Sequence, residues 1–241
     1  MNFSYHMRTV FTAFEARIDV TKLFRKITRN KIEFKMIREE STTSSDGNKY
    51  KDYVKFMELV GKLKHIKRTG WMLRDVKDCE SIAGHMYRMS MMTFLLPENT
   101  GLDRIKCMEI ALVHDLAEAS VGDITPYCGI SREEKLRREF DAMKDISKLA
   151  HASSDKLMTL FEEYEKGETA EAKFVKDLDR LDLIMQAFEY EKRDENPERL
   201  QEFFDNTEGK FQHPFIKKIV DEIYAQRLMH QKKDVKEEQS S

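Results

Sequence analysis

His114 and Asp115 stand side by side in the apolar stretch Ala111-Leu112-Val113-His114-Asp115-Leu116-Ala117, which ends in Glu118 and, after a short turn, reaches Asp123. A neutral imidazole and an adjacent carboxylate make two metal ligands, and a carboxylate one turn further on can act on water held by that metal. On a helix the two neighbours point about 100° apart, so both reach one ion only if it lies beside the helix between their directions. Glu118 is four residues from His114 and three from Asp115, which puts it on the same side. Upstream, His85 lies in Ile82-Ala83-Gly84-His85-Met86-Tyr87, one helix earlier; downstream, Asp179 lies in Val175-Lys176-Asp177-Leu178-Asp179-Arg180-Leu181 among apolar neighbours. Two His and two Asp from three packed helices, with water, suit a hard or borderline divalent ion such as Mn²⁺, Co²⁺ or Mg²⁺ rather than a structural zinc. The chemistry indicated is metal-assisted hydrolysis.

The elements that must position these groups all read as helices. No segment alternates strongly enough to demand a strand, so the expected fold is all-α, a helical bundle with a single metal site between helices. Tyr53, Phe56, Met57, Val60, Leu63 and Ile66 recur at three- and four-residue steps and predict an amphipathic helix over about 50–68, stopped near Thr69-Gly70. Ser81 to Leu96 predicts a second helix, ended by Pro97, and Leu102 to Ala119 a third, broken at Gly122. Ser131 is a good N-cap, with Glu134 completing a capping box, for a charged helix to about Ala150. Asp155 to Lys166 and Thr169 to Arg193 follow, the latter burying Phe174, Leu178, Leu181, Ile184, Met185 and Phe188, and Pro197 and Pro214 open two further pieces.

Composition narrows the function classes. The chain of 241 residues has a net charge of −2 and mixes both signs along its length, without the long basic stripe that neutralises a nucleic-acid backbone. A small-molecule substrate is therefore favoured over a nucleic-acid polymer. Cys79, Cys107 and Cys128 are widely spaced and odd in number, which argues against disulfides and a thiolate zinc site and fits a reducing, cytoplasmic setting. No run approaches the roughly 20 apolar residues that span a bilayer, so no membrane association is expected.

Three regions are expected. Residues 1–48 form a basic N-terminal extension and polar linker: Arg8, Arg17, Lys22, Arg25, Lys26, Arg29, Lys31, Lys35 and Arg38 outnumber Glu15, Asp19 and Glu33, and Ser41 to Asn48 has nothing to bury. The extension reads either as an amphipathic or divergent start or as a weak mitochondrial targeting segment. Residues 49–228 form the catalytic domain, and 229–241 a disordered charged tail.

The order His85, His114-Asp115, Asp179 resembles the HD-domain metal-dependent phosphohydrolases, an all-helical superfamily named for the dyad. Within it, the chain is most similar to the HD domain-containing protein 2 / 5'-deoxynucleotidase family, through Arg68-Thr69-Gly70-Trp71, His85-Met86-Tyr87-Arg88-Met89, Leu112-Val113-His114-Asp115-Leu116-Ala117-Glu118, Val121-Gly122-Asp123-Ile124, Glu133-Glu134-Lys135, Ala170 to Lys176 and Phe203-Phe204-Asp205. The resemblance covers about residues 50–225. It implies that His85, His114, Asp115 and Asp179 hold one divalent metal, that Glu118 is the general acid/base, that Asp123 contacts the sugar, and that Arg68 and Trp71 bind phosphate and shape the sugar pocket. A homodimer and a nucleotide substrate are implied in the same way. The bacterial enzymes have Arg and Trp adjacent, whereas here Thr69-Gly70 separates them.

Other readings of the same residues remain. Glu118 can be a helix-end acid, Asp123 a turn cap, Trp71 a core aromatic and Arg68 a surface cation. Asp177 and Asp182 read as solvated or salt-bridged neighbours of Asp179, and Met86, Met89, Met91 and Met92 as core filling. Binuclear cyclic-nucleotide phosphodiesterases need two further histidines between the dyad and the last Asp, where this chain has only His151; guanosine-tetraphosphate hydrolases carry Glu-Asp where it has Glu118-Ala119. The expected function is a metal-dependent 5'-deoxynucleotidase. The alternatives are a phosphohydrolase of another small phosphoester or nucleotide, and a non-catalytic metal-stabilised interaction module.

Overall fold

Apolar residues at three- and four-residue steps build every major element of residues 45–238, which are those the computed structural model describes, with their side chains over 48–231. The order is α1 (Ser45–Lys62), α2 (Thr69–Met72), α3 (Ile82–Met92), α4 (Arg104–Val113), α5 (Glu118–Val121), α6 (Arg132–Lys148), α7 (Ser154–Lys166), α8 (Ala170–Arg193), α9 (Gln201–Asp205) and α10 (Pro214–Glu238), with short 3₁₀ turns after α3, before α6 and before α7. Among the described residues no strand forms; a single antiparallel bridge joins Lys67 to Ser81. The fold is all-α, as expected.

Local chemistry accounts for the helix starts. Ser81, Asp103, Ser131 and Thr169 each accept a backbone N–H three residues on, satisfying donors that the first turn leaves unpaired. At Ser131 only half of the expected capping box forms, because the Glu134 carboxylate turns to Arg137 and Arg138.

The long helix α8 is the centre of the packing, touching α3, α4, α7, α9 and α10. Its residues Phe174, Val175, Leu178, Leu181, Ile184, Ala187 and Phe188 are all buried, and each large one contributes roughly 2 kcal/mol by leaving water. Only half-burial is reached by Met185, which was expected on that face. Met57 and Met91 are exposed rather than in the core; the buried positions are Leu59 on α1 and Leu63 just past its end.

Four boundaries differ from expectation. The first helix ends at Lys62, six residues before Arg68; a turn over 63–65 follows before the chain enters the bridge. The expected third helix stops at Val113: tight i−3 hydrogen bonds carry Leu116 N to Val113 O (3.0 Å), Glu118 N to Asp115 O (3.1 Å) and Ala119 N to Leu116 O (3.2 Å) before α5 begins. Finally, α1 starts at Ser45, inside the segment read as linker, and α10 runs on to Glu238, beyond where the tail was expected to begin. The described residues belong to one unit beginning at Thr43, and the basic extension, residues 1–38, lies outside them.

Candidate active site

The extended bridge delivers the first cation of the site. Arg68 N donates to Glu80 O (3.2 Å) and Ile82 N to Ile66 O (3.0 Å), which pins Arg68 beside the start of α3, and its Nη1 donates to Asp115 Oδ2 at 3.0 Å. His85 lies in the first turns of α3 and is fully buried. Its Nδ1 meets Asp182 Oδ2 at 2.6 Å, and Asp182 is held in turn by Arg88. That contact aims Nε2 at Asp179 Oδ1, 3.3 Å away, and Asp115 Oδ2, 3.8 Å away.

His114 follows the same logic with a different partner. It caps the end of α4, and its Nδ1 donates to Ala111 O at 2.9 Å, so Nε2 keeps its lone pair and sits 3.2 Å from Asp115 Oδ2. Asp179, on α8, accepts from the Tyr164 hydroxyl at 2.8 Å. Ligand atoms of His85, His114 and Asp179 all lie within 4.8 Å of one another. Both Nε2 atoms, and Glu118 Oε2, are buried without a hydrogen-bond partner. Leaving such atoms unpaired costs roughly 1–3 kcal/mol each, and a cation shared by two imidazoles and the Asp115 and Asp179 carboxylates removes that cost. The residues present therefore fit a divalent metal.

The tight turn after Val113 shapes the rest. The hydrogen bond from Glu118 N to Asp115 O winds the chain tightly here and keeps Glu118 on the side of the turn that carries Asp115. Both open onto a cleft of about 220 Å³, together with Arg68, His114, Asp123, Lys135, Glu139, Tyr164 and Asp179. A larger cavity of about 470 Å³ between α1, α3, α4 and α7 is walled mainly by apolar residues such as Phe56, Val60, Met86, Leu112 and Leu160. The reactive groups all lie at the smaller one.

Burial and charge set the protonation states in the cleft. Burial, then Asp115 and Asp123, push the Glu118 carboxyl well above its ordinary range against the pull of Arg68 and Lys135. Burial works against ionisation of Asp115 and Asp179, yet His114 and Arg68 hold the first, and His85 and His114 the second, well below the usual carboxylate range. With no ion bound, burial and Arg68 lower the His85 imidazole, but Asp179 and Asp182 outweigh them and bring it to about 9, so a metal would displace a proton from it on binding. Arg68 is stabilised as a cation by Asp115, Asp123, Asp179 and Glu118 in spite of its burial. Burial pushes Glu139 up to about 7, opposed by Lys135.

The structure brings His85, His114, Asp115, Asp179, Glu118, Arg68 and Asp123 to one place. Asp123 is also a turn cap: its Oδ2 accepts from Thr69 N at 2.6 Å and its carbonyl from the Thr69 hydroxyl at 2.8 Å, tying the Gly122 turn to α2. Trp71 is a correction. It is 1 % exposed, stacks against Phe203 at 4.4 Å and edge-on to Tyr190 at 5.2 Å, and donates Nε1–H to Glu80 at 2.9 Å. It is a core aromatic that does not line the cleft: its ring is packed against Phe203 and Tyr190 instead.

Sequence reasoning missed Lys135, Glu139 and Tyr164 as cleft residues and Asp182 as the support of His85. Asp182 carried a signal: it lies three residues from Asp179 on the same helix face. Lys135 and Glu139 are four apart on α6 in the same way, but nothing in the sequence says which face of a charged helix meets a cleft. Asp177 is buried, accepting from Gln212 N and His213 N at 2.7 Å each. His151 pairs with Asp52 at 3.0 Å on the surface, away from the dyad. Cys79, Cys107 and Cys128 are all unbridged.

Residues 60–220 match the HD domain family model. The chain is 46 % identical over 188 residues to the human protein named 5'-deoxynucleotidase HDDC2, an alignment covering 78 % of this chain and 92 % of that one. It is 39 % identical over 180 residues to 5'-deoxynucleotidase hdd1 of Schizosaccharomyces pombe, covering 72 % and 89 %. Among solved structures, a conserved hypothetical protein from Pyrococcus furiosus superposes with a TM-score of 0.59 at 34 % identity, covering 71 % of this chain and 99 % of its own.

Proposed function

The chain belongs to the HD-domain family and, within it, to the 5'-deoxynucleotidases, and from that premise we propose that it hydrolyses deoxyribonucleoside 5'-monophosphates to a deoxynucleoside and phosphate with one divalent ion, Mn²⁺, Co²⁺ or Mg²⁺. The observation that carries the reading is the pair of orphaned imidazole nitrogens facing Asp115 and Asp179, with the orphaned Glu118 oxygen opening onto the same cleft.

His85, His114, Asp115 and Asp179 would hold the ion, which when bound supplies Lewis acidity toward a phosphoryl oxygen and acidifies water. Asp182 and the Ala111 carbonyl fix the two imidazoles so that Nε2 faces inward. Glu118, its carboxyl raised above its ordinary range by burial, as the carboxylate accepts a proton from the attacking water at its unpartnered Oε2 and can return it to the leaving O5'. Arg68 offsets the phosphate charge. Asp123 is anchored by Thr69 through one oxygen, which leaves the other for a sugar hydroxyl. Preference for the deoxy sugar is supported by the names of the relatives; Trp71 is buried and does not line the cleft.

The same reading includes a homodimer, supported by the exposed apolar run Tyr87, Met91, Phe94, Leu95 and Leu112 along α3 and α4. Among the described residues no helix is long and apolar enough to cross a membrane. The compartment remains a proposal: cytoplasmic, in keeping with the three unbridged cysteines.

Phosphate release from a panel of deoxy- and ribonucleoside 5'-monophosphates, with each metal added back after chelation, tests the function. Metal-dependent turnover favouring the deoxy series, lost in Glu118→Ala while metal is retained, is the expected result. Equal turnover of both series removes the sugar preference, and no turnover removes the enzyme assignment in favour of a metal-stabilised module.

A further inference from the structure

We propose that Lys135 is a phosphate-binding residue, facing Arg68 across the cleft and completing a clamp on the substrate's phosphate; this deepens the 5'-deoxynucleotidase reading and rests on it for the identity of the ligand. Three observations converge on this side chain.

The first is placement. Lys135 sits in the first turns of α6 and lines the same cleft as Arg68, Asp115 and Glu118, although it comes from an element that supplies no metal ligand. The second is charge. Among the residues that line the cleft, Asp115, Glu118, Asp123, Glu139, Glu165 and Asp179 are acidic and only Arg68 and Lys135 are permanent cations. A phosphate dianion entering between those carboxylates needs every cation the walls offer, and Arg68 already gives Nη1 to Asp115 at 3.0 Å.

The third is the state of the ammonium. Its carboxylate neighbour Glu139 is 3.5 Å away, longer than the charge-assisted hydrogen bond of about 2.7–2.9 Å that would commit it. Lys135 keeps 37 % side-chain exposure, so its three donors can reach a ligand. Burial lowers its pKa, but Glu139, Glu118, Asp115 and Asp123 raise it further, and the group stays charged in the working range. A lysine serving only to balance the carboxylates would need no opening to the cleft.

The test titrates inorganic phosphate calorimetrically into the Mn²⁺-loaded protein, beside steady-state kinetics, for wild type, Lys135→Met and Lys135→Arg, with metal content and Tm as controls. Lys135→Met should weaken phosphate binding and raise KM about ten- to hundredfold, the size of one charge-assisted hydrogen bond, with a smaller change in kcat. Lys135→Arg should recover most of the affinity, and both variants should keep metal content and Tm. Unchanged phosphate affinity in Lys135→Met, or a wild type that binds no phosphate, overturns the assignment. If wild type binds phosphate and the Met variant does not, yet no deoxynucleotide is hydrolysed, the clamp stands and the nucleotidase reading falls. If deoxynucleotides are hydrolysed and phosphate affinity is indifferent to Lys135, the reverse holds.

Discussion

Glu139 shows how one carboxyl can cost the fold stability for the sake of the cleft. It is 7 % exposed, its only close cation is Lys135, and burial brings its pKa from 4.5 in the unfolded chain up to about 7. The folded state therefore binds its proton more tightly than the unfolded state, so the contribution of Glu139 to stability is greatest below pH 4.5, falls as pH rises through 4.5–7 and levels above. Glu139→Gln keeps the shape without the titration. In chelated protein, the stability of this variant relative to wild type should climb by about 1–3 kcal/mol between pH 4.5 and 8, read by urea denaturation at each pH. A difference that stays flat with pH would mean that Glu139 is ionised in the fold at little cost. Glu118, buried more deeply and among more carboxylates, is raised for the same reason, and in the proposed mechanism that cost would serve proton transfer.

At the scale of elements, the region that matters is the break between α4 and α5. A continuous helix from Leu102 to Ala119 would leave Glu118 and Asp115 at the loose spacing of 100° steps, whereas the i−3 hydrogen bonds wind the chain more tightly, and both side chains line the cleft. Gly122 then stops α5 with φ +76 and ψ 170, a conformation essentially reserved for glycine, and hands the chain to Asp123. A Cβ there would meet nothing within 4 Å, so the penalty of Gly122→Ala is purely that of the backbone, about 1–3 kcal/mol. The variant should lose that much stability, and because Asp123 ties this turn to Thr69 it should also raise KM. An alanine protein with wild-type Tm would show that the turn adopts another conformation without cost.

For the molecule as a whole, the proposed metal site would cross-link distant parts of the chain. His85 comes from α3, His114 and Asp115 from the end of α4, and Asp179 from α8, the helix on which the other two pack. An ion that binds only when these helices are assembled stabilises the fold by RT ln(1 + [L]/Kd), about 2.7 kcal/mol at a hundredfold excess over Kd. Mn²⁺ added to chelated protein should raise Tm by several degrees, and Asp179→Ala should abolish the shift while leaving the metal-free Tm within a few degrees of wild type. A metal shift undiminished in that variant would remove Asp179 from the ligand set.

Much of this was legible in the chain itself. Periodicity fixes the helices, and the types and order of His85, His114-Asp115, Glu118, Asp123 and Asp179 announce hydrolytic metal chemistry, because few other arrangements place two imidazoles among carboxylates within apolar runs. Trp71 and Lys135 mark where legibility ends. Nothing local distinguishes a tryptophan that faces a ligand from one that faces Phe203 and Tyr190, or a lysine on a solvated face of α6 from one turned to the cleft. Those outcomes depend on how a four-residue helix is rotated by the Lys67–Ser81 bridge and on which side of α6 meets α5. The sequence by itself determined which groups can bind metal and move protons, since that is a property of residue type and helical spacing. Only the tertiary structure decided which charges share the space where the phosphate goes, since that is a property of how separate helices are packed.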